Sequence, residues 1–254
     1  MTGPLTLKRL EQIFQDCVDF TKRPVSLGEG GACTLTLCYL SGMVKMERVS
    51  DYVLRPLAQD EALARCGTPR QAMEEMMGGA LYNLSAAERT TLDEAAFDLV
   101  AGWCLMFFPG ESAVLSLFVG TEEKRSISSP SNETVLKGSR DAFVESLRTN
   151  TSIVRRHLKT PELRIREQVV GRQSVTSVDI LYIEGLTNPH LVEQVAAQLA
   201  DIDIDAVLAT GNIEEYIVPA ARTAFPLVQY TERSDRFCAG LAEGRVGILI
   251  DGLP

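Results

Sequence analysis

The sequence predicts an α/β protein of two related α/β subdomains with mixed sheets, joined by a central helix. Three observations lead to this prediction. Apolar runs with the period of strands alternate with runs of helical period. A charged, serine-rich stretch, residues 121–133, separates two halves of similar size. Finally, two blocks of the first half recur in the second half at nearly the same spacing, which is typical of an internal repeat.

The recurring blocks combine a strand with a glycine. CYLSGMV aligns with LYIEGLT and pairs Gly42 with Gly185, a shift of 143 residues. LVAGWCLMFFPG aligns with LAEGRVGILIDG and pairs Gly102 with Gly244, a shift of 142 residues. Identities are few, so the alternative is that any unit of strand, glycine and helix resembles any other. We expect the halves to superpose, strand 35–40 on 178–183 and strand 104–108 on 246–250.

The first subdomain is predicted to span residues 1–136. An apolar stripe at helical spacing predicts a helix from about residue 5 to 20, and residues 24–31 are expected to form a loop. Thr68 and Pro69 predict a helix start, because threonine caps a helix whose first position tolerates proline. The other predicted elements are strands 33–40, 103–108 and 113–119 and helices 45–57 and 87–102.

The second subdomain, predicted as residues 137–254, begins with the central helix. Ser139 is its expected N-cap, Asp141 falls in the first turn, and Pro161 ends the helix. Asn150 lies on the apolar stripe, so its amide is expected to be hydrogen-bonded to backbone groups of adjoining segments. The remaining predicted elements are strands 163–170, 175–183, 206–208, 227–230 and 246–250 and helices 189–199, 213–218 and 235–242.

Composition limits the function classes. The chain has 254 residues, a formal charge of −9 and 45% hydrophobic residues. The acidic charge argues against nucleic acid as a partner, because phosphate contacts need a basic surface. The six cysteines form no C-x-x-C pair and are expected to be reduced core thiols, which indicates a reducing compartment. No uncharged run reaches the roughly 18 residues that a membrane helix needs, so this part of the protein is expected to be soluble.

No recognisable motif indicates catalysis or metal binding. Asp201, Asp203 and Asp205 alternate as in a calcium loop, but Ala206 replaces the glycine of the sharp turn and Asn212 replaces the bidentate carboxylate. The two histidines have no ligands at suitable spacing. We therefore expect no catalytic residue, no metal, no cofactor and no enzyme activity, although a triad assembled from distant residues is an open alternative.

A group of polar residues follows the predicted strands of the second subdomain. If these strands run parallel, their carboxyl ends meet at one edge, where open α/β sheets bind ligands. The alternative is that these residues cap helices and form turns. The candidate ligand-binding residues are Glu184, Thr187, Thr231, Glu232, Arg233 and Asp235.

Residues 137–172 carry nine Lys or Arg against four Asp or Glu, a local excess in an acidic chain. One interpretation is a docking face for an acidic partner or an anionic membrane surface. The other is a solvated face whose cations pair with carboxylates of the second subdomain. The candidate docking residues are Arg148, Arg155, Arg156, Arg164 and Arg166.

The central helix and the segments after it also carry a family resemblance. The chain contains, in order, FVESLRTNTSIVRRHLK, SVDILYIEGLTNPHLVEQV, IDIDAVL, FPLVQYTERSDR and GLAEGRVGILIDGLP. Together these strings resemble the soluble N-terminal region of the A subunit of GerA-type spore germinant receptors. The similarity is dense over about residues 125–254 and thinner before them. Ser139 and Ser234 depart from the pattern, since the family usually has proline there.

The resemblance implies nutrient sensing and signalling that trigger spore germination, together with B and C subunits in the spore's inner membrane. It also implies a small nutrient germinant as ligand, and a membrane-spanning region beyond Pro254 that resumes with an apolar stretch. Two other functions stay open. One is a soluble α/β enzyme acting on a small polar substrate, and the other is an assembly module with no ligand of its own.

Overall fold

Helices alternate with β-sheets in the computed structural model, which confirms the α/β class. The structure describes residues 3–27, 33–80, 85–120, 141–218 and 227–253. The chain forms two compact units: the first comprises Met1–Gln15, Asp19–Glu123 and Lys159–Pro161, and the second comprises Asp16–Val18, Lys124–Leu158 and Glu162–Pro254.

The first unit is built on a five-stranded sheet of order β1-β2-β4-β5-β3, in which all neighbours are antiparallel. The strands are β1 (Phe20–Ser26), β2 (Thr34–Leu40), β3 (Ala86–Arg89), β4 (Trp103–Phe107) and β5 (Val114–Phe118). The helices are α1 (Leu7–Ile13), α2 (Met46–Val49), α3 (Arg55–Gln59), α4 (Glu61–Ala64), α5 (Pro69–Glu75) and α6 (Leu92–Val100), with π-helical turns at Ser50–Leu54 and Met76–Ala80.

The second unit is built on a three-stranded antiparallel sheet of order β6-β7-β8. Its strands are β6 (Leu163–Val170), β7 (Thr176–Ile183) and β8 (Gly247–Ile250), and its helices are α7 (Leu147–His157), α8 (Pro189–Ala200), α9 (Gly211–Ile217) and α10 (Ser234–Ala242). Val178, Ile180 and Tyr182 of β7 pack against α8 and α9. Leu181 and Ile183 pack with side chains of α7 and α10, so the sheet is the middle layer of three.

The two units repeat one arrangement. Strands β1, β2 and β4 hold the places in the first sheet that β6, β7 and β8 hold in the second. The register agrees as well: Leu37 pairs with Met106, and Ile180 pairs with Ile248 at the predicted shifts. Helices α6 and α10 are each nine residues long and begin at matching positions. The predicted repeat is therefore confirmed in strand order and register.

Both sheets differ from the prediction of mixed sheets, since every pair of the described strands is antiparallel. The helix predicted for residues 5–20 ends at Ile13, and β1 begins at Phe20. Pro24 lies within β1, where the sequence indicated a loop. An edge strand tolerates proline because one side of its backbone has no strand neighbour. The rest of the predicted loop, residues 28–31, lies outside the described residues.

Two helices begin later than predicted. Helix α6 starts at Leu92, because the Thr91 side chain caps it and accepts from Glu94 N, while residues 86–89 join the sheet as β3. Helix α7 starts at Leu147 with Ser146 as its cap. The predicted cap Ser139 and the boundary at residues 136 and 137 lie outside the described residues. Segments 206–208 and 227–230 are not strands in this structure.

The side chain of Asn150 joins helix α7 to the segment before it. Asn150 is 1% exposed. Its Nδ2 donates to the Val144 carbonyl oxygen at 2.6 Å, and its Oδ1 accepts from the Val144 N–H at 2.8 Å. The amide therefore bonds both backbone groups of one residue, as a neighbouring strand would. The expectation of a buried asparagine bonded to backbone groups is confirmed.

We predict that Asn150→Leu destabilises the protein by about 1–3 kcal/mol, although leucine suits the apolar stripe better, because both backbone groups of Val144 lose their partner. The measurement is the midpoint of denaturant unfolding. Gln194→Leu is the control, since it also replaces a side-chain amide with leucine, but at an exposed helix position. An unchanged or raised midpoint for Asn150→Leu would show that the amide does not hold these segments together.

The repeated glycines give a second prediction. Gly102 and Gly110 both have positive φ, 88° and 84°. A Cβ at Gly102 would lie 2.9 Å from the Met43 carbonyl oxygen and 3.1 Å from the Gly120 Cα, whereas a Cβ at Gly110 meets nothing within 4 Å. Gly110→Ala should cost about 1–2 kcal/mol for the left-handed conformation alone. Gly102→Ala should cost clearly more, because the backbone must also shift. Equal losses in unfolding free energy would contradict this.

Candidate functional site

The structure separates the six predicted ligand-binding residues into two groups. Thr231, Glu232, Arg233 and Asp235 gather before helix α10 and in its first turn. Glu184 and Thr187 lie in the turn that follows β7. The prediction placed all six at the carboxyl edge of a parallel sheet, and this premise is wrong because β7 and β8 run antiparallel. Neighbouring strands of an antiparallel sheet end at opposite edges.

The start of α10 is a fixed polar cluster, which we call the α10 cluster (Thr231, Glu232, Arg233 and Asp235). Arg233 Nε and Nη2 donate to the two carboxylate oxygens of Asp235 at 3.0 and 2.6 Å. The Thr231 hydroxyl oxygen accepts from Arg233 N at 3.1 Å. The hydrogen bond from Arg233 lowers the pKa of Asp235, so this carboxylate stays charged. The ion pair holds its two side chains in one geometry.

A short extended segment before α7 supports the α10 cluster. The Phe143 N–H donates to the Glu232 carbonyl oxygen at 2.9 Å, and Ala142 forms an isolated antiparallel bridge with Arg233. The rings of Phe143 and Phe237 pack edge to face, with centroids 5.2 Å apart. The backbone of the cluster is therefore held by pairing that only the folded chain supplies, which explains why sequence patterns do not show it.

Glu184 and Thr187 have other roles. The Thr187 hydroxyl oxygen accepts from Ile183 N at 3.2 Å, and its side chain is almost fully buried in the turn. Glu184 is exposed, and its Oε2 lies 3.8 Å from Nε of Arg164. Thr187 is thus a turn-forming residue, which was the alternative interpretation, and neither residue belongs to the α10 cluster.

A serine, a histidine and an aspartate meet beside the α10 cluster. Ser234 is fully buried at the first position of α10, and its hydroxyl donates to the Asp141 carbonyl oxygen at 2.9 Å. His157 Nε2 lies 3.2 Å from the Ser234 oxygen and 3.7 Å from Asp141 Oδ2. A catalytic triad needs the histidine to contact serine and carboxylate through different ring nitrogens. Here one nitrogen faces both, so this arrangement does not activate the serine.

A cavity of 1260 Å³ opens beside strand β8, and sequence reasoning missed it. Its walls come mainly from α8, α9, residues 227–232, and the stretch from α10 to β8, and Phe143 before α7 also contributes. Of the six predicted residues, Thr231 and Glu232 line it. Most of its walls are apolar, including Leu191, Val195, Ile213, Ile217, Leu227, Val246, Ile248 and Leu253. No local signal could reveal the cavity, because its walls come from segments far apart in sequence.

Tyr230 and Glu214 join two walls of the cavity. The Tyr230 hydroxyl hydrogen-bonds to the carboxylate of Glu214 on α9. Burial, together with this carboxylate, raises the pKa of Tyr230 to about 12, so the phenol keeps its proton and acts as a donor. The bond ties the segment that leads into α10 to helix α9 across one side of the cavity.

Arg148, the first predicted docking residue, contacts acids of its own unit. Its Nη2 lies 2.6 Å from Glu167 Oε1, and its Nη1 lies 3.0 Å from Oδ2 of Asp179, which is fully buried on β7. Removing one member of such a group leaves an uncompensated buried charge, so Arg148 has a structural role.

The other four docking candidates differ in burial and in their contacts. Arg155 is 1% exposed and donates to the Leu163 carbonyl oxygen at 3.1 Å, so it does not belong to a docking surface. Arg164 is buried, and Arg166 lies 2.6 Å from the carboxylate of Glu193. Arg156 is exposed. Arg148 is exposed as well, but it is paired with Glu167 and Asp179. Arg148 and Arg166 thus neutralise carboxylates of the second unit, which agrees with the alternative interpretation.

The described residues give no sign of a metal site or a reactive thiol. Among them, no group of three or more His, Cys, Asp or Glu side chains is placed to hold a metal ion. Burial raises the pKa of Cys38, Cys104 and Cys238 to about 12, so these thiols stay protonated. Within the described ranges, no helix has the length and apolar character needed to cross a membrane.

We predict that the Arg233–Asp235 pair stabilises the protein above the ordinary carboxyl pKa of 3.8 and less below it. Because the folded state lowers this pKa, the unfolded chain binds the proton more readily, and the stabilisation is lost as pH falls through the folded-state value. Asp235→Asn should therefore lower the unfolding midpoint at pH 7, and the difference from the parent should shrink in acid. Asp205→Asn, at an exposed position, is the control. A difference that stays constant with pH would contradict the prediction.

Known proteins are similar to this chain over nearly its whole length. The family model described as Bacillus/Clostridium GerA spore germination protein matches residues 8–254. The uncharacterized membrane protein YfkQ of Bacillus subtilis (strain 168) is 35% identical over 98% of this chain and 47% of its own length. Spore germination protein KA of the same organism is 33% identical over 93% of this chain and 43% of its own length. The chain thus spans about half the length of the curated relatives it matches.

A solved structure shows the same fold. The N-terminal domain of the A subunit of the Bacillus megaterium spore germinant receptor GerK3 is similar, with a TM-score of 0.77 and 26% sequence identity. The match covers 99% of this chain and 94% of that domain. It therefore includes the α10 cluster and the strands around the cavity.

Proposed function

Because this chain belongs to the GerA family of spore germination proteins, we propose that it is the N-terminal region of the A subunit of a spore germinant receptor. The observation that carries the proposal is the structural match to such a domain over 99% of the chain. In this role the region takes part in the nutrient sensing and signalling that trigger germination.

The same proposal supplies partners and a location. The subunit works with B and C subunits of one receptor in the spore's inner membrane. Because the relatives are about twice as long as this chain, the rest of the A subunit provides the membrane-spanning part. This division of labour agrees with an acidic region whose described helices are too short or too polar to cross a membrane.

The α10 cluster is the proposed contact site for a small nutrient germinant, such as an amino acid, a sugar or a nucleoside. Small-molecule sites combine apolar walls with a few fixed polar groups. Here Thr231 and Glu232 line a mostly apolar cavity, and the Arg233–Asp235 pair lies directly beside them in sequence. A ligand with both donor and acceptor groups finds the hydroxyl, the carboxylate and the guanidinium within one short segment.

The alternative of an enzyme loses its support from the site. The serine, histidine and aspartate beside the cluster lack the geometry of a triad, and the buried serine hydroxyl is used as a donor to a backbone carbonyl. No other observation in the described residues favours a reaction over binding.

Calorimetry with a nutrient panel tests the ligand site. One member of the panel should give saturable heat without turnover. The double variant Thr231→Val, Glu232→Gln should weaken that binding roughly tenfold, the effect of about 1.4 kcal/mol of lost polar contacts. Glu184→Gln is the matched control, because this predicted residue lies outside the α10 cluster, and its affinity should equal that of the parent. Absence of binding, or equal weakening by the control, would contradict the site, and turnover would favour the enzyme.

The receptor assignment has a separate test. The full-length subunit, purified in detergent from spore membranes, should carry B and C subunits with it in stable proportion. A full-length protein that purifies alone under conditions that keep other receptors assembled would contradict the assignment, whatever the calorimetry shows.

A further inference from the structure

Among the described residues, the second sheet has no counterpart of strand β5 of the first sheet. In the first unit, β5 lies between β4 and β3 in the order β1-β2-β4-β5-β3. In the second unit, the counterparts of β1, β2 and β4 are β6, β7 and β8, and the described sheet ends at β8. The place that β5 takes in the first unit has no described strand in the second.

The second unit nevertheless has a counterpart of β3, the strand on the other side of β5. Strand β3 ends shortly before α6, and at the spacing that matches α6 with α10 its counterpart is segment 228–231. This segment lines the cavity together with β8. The cavity therefore lies between the counterparts of β4 and β3, where the first unit holds β5. Its 1260 Å³ also exceeds the roughly 300–1,000 Å³ of small-ligand pockets.

The backbone of β8 is set to bond a strand on this side. The N–H of Asp251 donates to the Ser177 carbonyl oxygen of the neighbouring strand at 2.9 Å. Since bonding alternates along an antiparallel pair, Leu249 and Gly247 also bond toward β7, and the N–H and C=O of Ile248 point to the cavity. The counterpart of Ile248 is Met106, which pairs with Leu115 of β5.

The edge of the short strand β8 carries neither a charged residue nor a proline. Such strands avoid aggregation through charged residues or proline. Strand β1 has Lys22, Arg23 and Pro24, and β6 has Arg164 and Arg166. Strand β8 reads GILI, without charge or proline. This composition is typical of a strand that is covered on both sides.

The turn after β8 copies the turn that leads into β5. Leu253 N donates to the Ile250 carbonyl oxygen at 3.3 Å, and Glu111 N donates to the Phe108 carbonyl oxygen at 3.3 Å. Gly252 and Gly110 occupy the same position with φ of 81° and 84°. In the first unit this turn reverses the chain, which then runs back along β4 as β5.

We propose that the cavity is a slot for a β-strand, and that its occupant is the segment that follows Pro254 in the full-length A subunit. The proposal rests on the proposed function, in which this chain is the N-terminal part of a longer protein. The occupant pairs with β8 in the register of β4 and β5 and is an uncharged strand. Four of the five residues of β5 are buried, and the walls of the slot are similarly apolar.

The strand leaves most of the α10 cluster accessible. Strand β5 pairs with β3 up to Arg89, whose counterpart is Thr231. Glu232, Arg233 and Asp235 come after that point and lie beyond the start of the occupant. The slot and the proposed germinant site are therefore neighbours that share Thr231 at their boundary.

Hydrogen exchange of individual amides tests the slot. The 254-residue chain is compared with a chain that continues through about twelve further residues of the natural gene, enough for a turn and a strand. The amide of Ile248 should exchange at least roughly tenfold more slowly in the longer chain, because it gains a partner. The amides of Gly247 and Leu249, which bond to β7, are internal controls and should change little. The longer chain should also unfold at a higher denaturant concentration.

A proline variant of the longer chain makes the test specific. Proline at the added position that corresponds to Leu115 removes the N–H that would bond the Ile248 carbonyl. The variant should therefore lose the protection of the Ile248 amide and unfold at the same denaturant concentration as the 254-residue chain. Equal exchange of Ile248 in both chains would overturn the proposal. So would protection in the 254-residue chain that rises with protein concentration together with a dimer in ultracentrifugation, since a second copy would then fill the slot. Neither hydrogen exchange nor unfolding needs a germinant or the B and C subunits. The slot proposal can therefore fail while the receptor assignment stands.

Discussion

The register of β7 between its two neighbours is the constraint on which the second unit depends. It directs Val178, Ile180 and Tyr182 to α8 and α9, and it directs Asp179 and Leu181 to α7 and α10. A slip of one residue would exchange the two faces and expose every core contact of the strand. The same register joins β2 to its neighbours in the first unit. The two units therefore share strand register and the direction of their side chains, and this similarity does not require identical residues.

Buried polar groups then fix the position of helix α7 against the sheet, which apolar packing alone does not determine. Asp179 points from β7 toward α7, where Arg148 neutralises it, and the Asp251 carboxylate accepts from the N–H of Leu147 at the start of the same helix. Asn150 completes the connection by bonding Val144. Each contact joins a helix end to a strand or to an extended segment. Three of the five candidate docking residues, Arg148, Arg155 and Arg166, thus bond to groups of their own unit, which counting charges along the sequence could not show.

Sequence reasoning succeeded where the deciding interaction is local. The side chains of Thr68 and Asn188 cap helices that begin at proline, and both were readable because cap and proline are adjacent. It failed where a distant partner decides. Strand β1 contains a proline that indicates a loop unless the pairing with β2 is known. The residues of the α10 cluster were predicted to be neighbours on the premise of a parallel sheet, which is wrong, and they are neighbours because they are close in sequence. The cavity beside them could not be predicted, because segments far apart in sequence form it.

Helix α10 connects the two proposed sites of the second unit, the α10 cluster and the slot. Its first turn belongs to the α10 cluster, and its Phe237 ring lies so close to Gly247 of β8 that a Cβ there would be 2.3 Å from the ring. The same ring packs against Phe143, whose backbone holds Glu232. Only a strand without a side chain at this position lets the helix approach so closely. A change in the position of the cluster must therefore be accommodated at the first residue of β8, the strand whose outer edge forms the slot, because close-packed rings and backbone leave no free space between them.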